Sequence, residues 1–156
     1  MRDLGLHRFE QRKSTIATVL DHIGDVEIVD AGRLTRDRAL RFEVRSPGHG
    51  LKTLATFIYA EWYHRVARGW RLTRYHYDYI DRRARGRLAY HWHAVGRRRD
   101  VYHAHCEERL GTARFEHYRA YELDLLEAHA DFVTLFASDQ LVECSGLRPL
   151  STAMKT

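Results

Sequence analysis

Trp70-Arg71-Leu72-Thr73-Arg74-Tyr75-His76-Tyr77-Asp78-Tyr79-Ile80 is the stretch that decides the fold. Side chains on a β-strand alternate between two faces, and aromatic residues favour that conformation. Trp70, Leu72, Arg74, His76, Asp78 and Ile80 fall on one face, with Arg71, Thr73, Tyr75, Tyr77 and Tyr79 on the other. Residues 81–86 form a polar turn. Residues 87–95 return with Leu88, Tyr90, Trp92 and Ala94 on one side and Arg87, Ala89, His91, His93 and Val95 opposite. The pair reads as an antiparallel hairpin.

Upstream, residues 51–66 alternate through Leu54, Phe57 or Ile58, Tyr59 and Trp62 over a length that implies a bulge or bend. Residues 39–45 set Leu40, Phe42 and Val44 against Arg41, Glu43 and Arg45, and Val26, Ile28 and Ala31 begin an earlier strand. Ser46-Pro47-Gly48-His49-Gly50 is a turn by composition. Before the strands, Leu6, Phe9, Ile16, Val19, Leu20 and Ile23 recur at helical spacing over 4–23, and Gly24 marks the stop.

Downstream, 96–100 is an arginine-bearing loop, and 101–106 is either a short strand or an active loop. Phe115, Tyr118, Glu122, Leu125, Leu126, His129, Phe132, Val133 and Phe136 then follow a helical rhythm, which predicts a long helix over 112–137. Residues 141–156 form a weakly specified tail. The expectation is an α+β domain spanning 1–156: an N-terminal helix, about five antiparallel strands and a long C-terminal helix. Both helices cover one sheet face, leaving the other for a site.

Composition narrows the class. A chain of 156 residues with 44% hydrophobic content can bury a core, which excludes disorder as the default. No apolar run reaches the roughly 20 residues of a membrane span, and the N-terminus has no secretory pattern, so a soluble cytoplasmic protein is expected. Two cysteines, Cys106 and Cys144, make no disulfide scaffold, and Cys106 reads as a partly buried bystander thiol.

The charge is unevenly placed. The net charge is +5, and only three of the 26 basic residues are lysine. Residues 65–99 hold eleven arginines against two aspartates, whereas 107–143 hold nine acids against three arginines. Arginine donates paired hydrogen bonds to phosphate and stacks on aromatic rings. Tyrosines among arginines give bases a stacking surface. Arg74, Tyr75, Tyr77, Arg97, Arg98 and Arg99 are therefore the candidate substrate contacts, with RNA as the partner. Solvated arginines on a sheet edge are the plain alternative.

Eleven histidines include two His-x-His pairs, His91/His93 and His103/His105. On a strand each pair shares a face. Three readings stay open. In the first, His103 and His105 with His91 or His93 are acid–base catalysts: imidazole titrates near neutrality, so one base deprotonates a 2′-hydroxyl and one acid protonates the leaving 5′-oxygen. Asp78 would orient a histidine. In the second, no cofactor being otherwise expected, a divalent metal is held by His103, His105 and a carboxylate such as Asp78. In the third, the histidines are structural. No phosphate-binding glycine loop, Gly-x-Ser-x-Gly elbow or His-Glu-x-x-His is present.

The run 70–81, the turn with Gly86, residues 87–93 and Tyr102-His103-Ala104-His105-Cys106 together resemble the TumE-like toxins of bacterial toxin–antitoxin pairs. Those proteins carry a tyrosine-rich strand, a glycine-containing turn and a later His-x-His in a sheet-based domain of similar size. Tyr75, Tyr77, Asp78, His103 and His105 match. The family's Arg-aromatic-Asp after the turn is replaced here by Tyr90-His91-Trp92-His93. The resemblance implies a toxin directed at RNA and neutralised by a cognate antitoxin. A non-catalytic nucleic-acid- or protein-binding module and a metal-dependent hydrolase are the alternatives, and homo-oligomer formation stays open.

Overall fold

A computed structural model describes residues 3–32, 35–46, 55–81, 86–95, 98–109, 117–138 and 142–147. The expected turn over 47–50, Arg82, Arg83, Arg85 and Arg97, and the first residues of the expected C-terminal helix lie outside them. The elements are β1 (Asp3–Gly5), α1 (Leu6–Asp21), β2 (Asp25–Ala31), β3 (Asp37–Arg45), β4 (Ala55–Val66), β5 (Gly69–Asp81), β6 (Gly86–Val95), β7 (Arg98–Glu107), β8 (His117–Arg119) and α2 (Leu125–Ser138). Seven strands form an antiparallel meander in the order β2-β3-β4-β5-β6-β7-β8, and β1 pairs with the start of β5. The α+β class holds, with more strands than the five expected.

Alternation builds the core. Leu40, Phe42 and Val44 of β3, Phe57, Tyr59 and Tyr63 of β4, and Tyr75, Tyr77 and Tyr79 of β5 are buried on one face. Both helices lie on that face. Phe9 of α1 meets the Tyr63 ring at 4.8 Å, and Phe132 of α2 packs on Tyr59, Tyr79 and Tyr90 at 5.6–6.2 Å. Residues of opposite parity point away from the helices.

A bulge changes the parity of β5. Trp62 pairs with Arg74 but Tyr63 pairs with Leu72, so Thr73 is skipped; its hydroxyl donates to the Trp62 carbonyl at 2.9 Å. An extra residue reverses alternation on the bulged strand. Trp70 and Leu72 therefore join the core with the tyrosines, contrary to the uninterrupted pattern expected from sequence.

The C-terminal helix is shorter than its apolar rhythm predicts. Asp124 Oδ1 accepts from Leu126 N at 3.0 Å, and Glu127 Oε2 accepts from Asp124 N at 2.6 Å. This is a capping box, and it fixes the helix start. Tyr118, counted in the helical rhythm, instead lies in β8, which pairs with β7. Cys106 and Cys144 are joined in a disulfide, which overturns the free-thiol reading. Among the described residues no helix is long and apolar enough to cross a membrane.

His129 of α2 is buried, sharing a 2.7 Å hydrogen bond with the Tyr59 hydroxyl and lying edge-on to His22 at the end of α1. Burial first, then the charge of His22, pulls its pKa down to about 4. Unfolded histidine titrates near 6.5, so between those values only the unfolded chain takes the proton. Stability therefore falls as pH drops from about 6.5 toward 4, by roughly 2–3 kcal/mol from this group. Urea unfolding at pH 7 and pH 4.5 checks this against His129→Gln. The variant has the shallower dependence; equal dependence in both proteins contradicts the assignment.

Candidate functional site

The β5–β6–β7 register places the histidines in one cluster on the sheet face turned away from the helices. His76 is directly opposite His91, and His91 directly opposite His103. His93 lies two residues along β6, and His105 two along β7. Neighbouring strands run about 4.8 Å apart, so same-face rings in adjacent strands meet. The His91 ring centroid is 3.8 Å from His76, 4.4 Å from His105, 5.3 Å from His103 and 5.7 Å from His93. His93 and His105 are 4.8 and 5.1 Å from His103.

The cluster has an inside and an outside. His103 is 0% and His91 8% exposed, whereas His76, His93 and His105 are half-buried and open to solvent. Burial, reinforced by the surrounding imidazoles, holds the His91 pKa far below its ordinary value. The first sequence reading made His103 and His105, with His91 or His93, the acid–base candidates. His103 and His91 lie deepest, and His76 shares the half-buried rim of the cluster with His93 and His105.

Asp78 holds one side of this arrangement. Its carboxylate accepts from His76 Nε2 at 3.2 Å and from Arg87 Nε and Nη2, both at 2.8 Å; Arg87 Nη1 continues to Glu107 at 3.2 Å. Burial pulls the Asp78 carboxyl up, but the hydrogen bonds from His76 and Arg87 outweigh it and leave its pKa below the usual value. Asp78 thus orients His76, and Arg87 orients Asp78. Both Asp78 oxygens are thus engaged by His76 and Arg87.

Arg74 is exposed two residues before His76 on the same face, its guanidinium 4.0 Å from the centroid of the Trp62 ring. Arg98 and Arg99 open β7, where Arg98 pairs with Val95. Tyr75 and Tyr77 are displaced from the expected role. Their odd parity sends them into the helix-covered core, where Tyr77 donates to Glu61 Oε1 at 2.7 Å and the Tyr75 hydroxyl accepts from Leu123 N at 3.1 Å. With Arg12, Tyr63, Leu72 and Asp124 they line a cavity of about 20 Å³, room for one water. Both rings lie on the side of the sheet opposite the histidines.

Arg87 and Trp62 are the neighbours that sequence reasoning left out of the site, and His76, on the preceding strand, was not among its catalytic residues. The signal for His76 and Arg87 is the hairpin register: closing the turn on Asp81 and Gly86 puts His76 opposite His91 and Arg87 opposite Ile80, next to Asp78. Trp62 gives no such signal, because the bulge at Thr73 sets its neighbour.

Comparison with protein-family models, with curated proteins and with solved structures gives no match for this chain. The resemblance to the TumE-like toxins rests on the residues quoted for it.

Proposed function

We propose that this chain is an RNA-cleaving toxin of a toxin–antitoxin pair, with the histidine face as its catalytic surface. One observation carries the reading: three half-buried imidazoles surround a buried one, beside an exposed arginine stacked on tryptophan. RNA cleavage by 2′-hydroxyl attack needs a base and an acid on either side of one phosphate. His76 and His105 flank His91 at 3.8 and 4.4 Å. With its Nε2–H held by Asp78, His76 presents Nδ1 as the base for the 2′-hydroxyl proton. His105, protonated, donates to the leaving 5′-oxygen. The 2′-oxygen bonds to phosphorus as the bond to the 5′-oxygen breaks, leaving a 2′,3′-cyclic phosphate.

Arg74 offsets charge on the phosphate, and the Trp62 ring stacks on a base. The toxin role comes from the TumE-like residues. The partners it implies are RNA and a cognate antitoxin whose acidic segment suits the arginine-rich stretch 65–99. The reading puts the protein in the cytoplasm with its RNA target. The Cys106–Cys144 bond runs against that compartment, where thiols are ordinarily kept reduced.

The test is purified protein with 5′-end-labelled RNA. Fragments ending in 2′,3′-cyclic phosphate are expected, and His105→Gln and His76→Gln each slow their formation by about 10²–10⁴-fold. Unchanged rates in both variants would remove the mechanism. The Arg74–Trp62 pair also favours a non-catalytic RNA-binding module, and that reading wins where RNA is bound with steep salt dependence but never cut.

A further inference from the structure

We propose that His91, His93 and His103 together hold one divalent transition-metal ion, with zinc the best fit. The three residues come from the middle of two paired strands. His91 and His93 share a face of β6 at i and i+2, and His103 is the direct cross-strand partner of His91. One ring nitrogen from each lies within 4.8 Å of the other two.

A tetrahedral zinc ion with bonds of about 2.0–2.1 Å sets ligand nitrogens about 3.4 Å apart, so the widest gap closes by about 1.4 Å. Rotation of the imidazoles about their side-chain bonds would supply that movement.

Two further observations favour an ion over inert packing. His91 Nε2 is buried with no hydrogen-bond partner among the described residues. A buried polar atom left in that state costs about 1–3 kcal/mol, and an ion would take up its lone pair. His103 Nδ1 lies 3.2 Å from the Val101 carbonyl. Donation from Nδ1 to that carbonyl sets the tautomer and directs Nε2 to the metal, the usual support for a ligating histidine.

The donor set also selects the ion. Three imidazoles without a carboxylate suit zinc, copper, cobalt or nickel, and not magnesium or calcium, which want oxygen. Three protein ligands leave a fourth position for water, as in catalytic zinc centres. The half-buried His93 keeps that position within reach of solvent. His105 and the His76–Asp78 pair border the site without belonging to it, so the inference does not depend on RNA cleavage.

The test reads the metal alone. Untagged full-length protein is stripped with EDTA, dialysed and titrated with Zn²⁺ by calorimetry, and in parallel with Co²⁺ by visible absorption. One ion per chain is expected, with the intense visible bands of tetrahedral cobalt. His93→Gln, at the most accessible ligand, weakens binding by more than the roughly 10–100-fold that a second-shell change costs.

His103→Gln does the same; circular dichroism identifies any variant that has lost its fold, and His93→Gln decides if the more buried variant has. His64→Gln binds like the parent, because His64 sits on β4 with Asp37, away from the cluster. No stoichiometric uptake at micromolar ion would overturn the proposal. So would equal affinity in the parent, a folded His93→Gln and His64→Gln.

Discussion

Arg12→Met lowers the unfolding free energy by about 3–5 kcal/mol, the usual cost of stranding a buried charge. Glu61 lies in the middle of β4 on the helix-covered face and is 1% exposed. Arg12 of α1 reaches it with Nη2 at 2.7 Å and Nε at 3.4 Å, and extends Nη1 to Asp124 at 3.2 Å, in the cap of α2. The Tyr63 and Tyr77 hydroxyls also donate to Glu61. Burial works against the Arg12 charge, but Glu61 more than offsets it and raises its pKa.

The side chain of Arg12 is thus the joint between both helices and the sheet. Without it, Glu61 keeps two hydroxyl donors and no counter-charge. Adding Glu61→Gln to Arg12→Met removes the stranded charge and recovers part of the loss. Urea unfolding of both variants checks this. A loss under about 1 kcal/mol for Arg12→Met, below the range for a broken buried pair, would mean that the network is not holding the helices.

Reduction of the Cys106–Cys144 bond costs about 4 kcal/mol, the chain-entropy value for a closed loop of this size. The two cysteines are 38 residues apart, and the loop between them contains β8 and α2. The bond ties the end of β7, next to His105, to the segment that follows α2. Val142 in that segment packs so closely on Gly86 that a Cβ there would meet Val142 Cβ at 3.0 Å. Opening the bond frees this segment in the unfolded chain without removing a folded-state core residue. Cys144→Ser matches the reduced protein in unfolding midpoint, and both fall well below the oxidised form. A midpoint indifferent to reductant would show that the bond carries no stability.

The parts of the fold that were legible in the sequence are those set by local alternation. Tyr75, Tyr77 and Tyr79 against His76 and Asp78, and Leu88, Tyr90 and Trp92 against Ala89, His91 and His93, give the hairpin and its two faces unaided. The helix expected over 4–23 is found over 6–21, where Phe9, Ile16 and Leu20 keep one face of it buried. Features set by distant partners were not legible. The bulge at Thr73 exists because β4 pairs on either side of it, and it moves Trp70 and Leu72 to the other face.

Tyr118 fits the helical rhythm by coincidence, while Asp124 and Glu127, a capping signal present in the sequence, mark the true start of α2. The depth of His103 depends on how five rings pack across three strands, which spacing alone does not encode. His-x-His pairs announce that imidazoles gather, not which of them face solvent.

The central claim is that the outer imidazoles perform chemistry on RNA, and one comparison tests it most directly. The parent and a His76→Gln/His105→Gln double variant are incubated with the same end-labelled RNA, their unfolding midpoints measured alongside. The account predicts cleavage by the parent and none above background by a variant that still folds. A folded double variant that cuts RNA at the parental rate would contradict it.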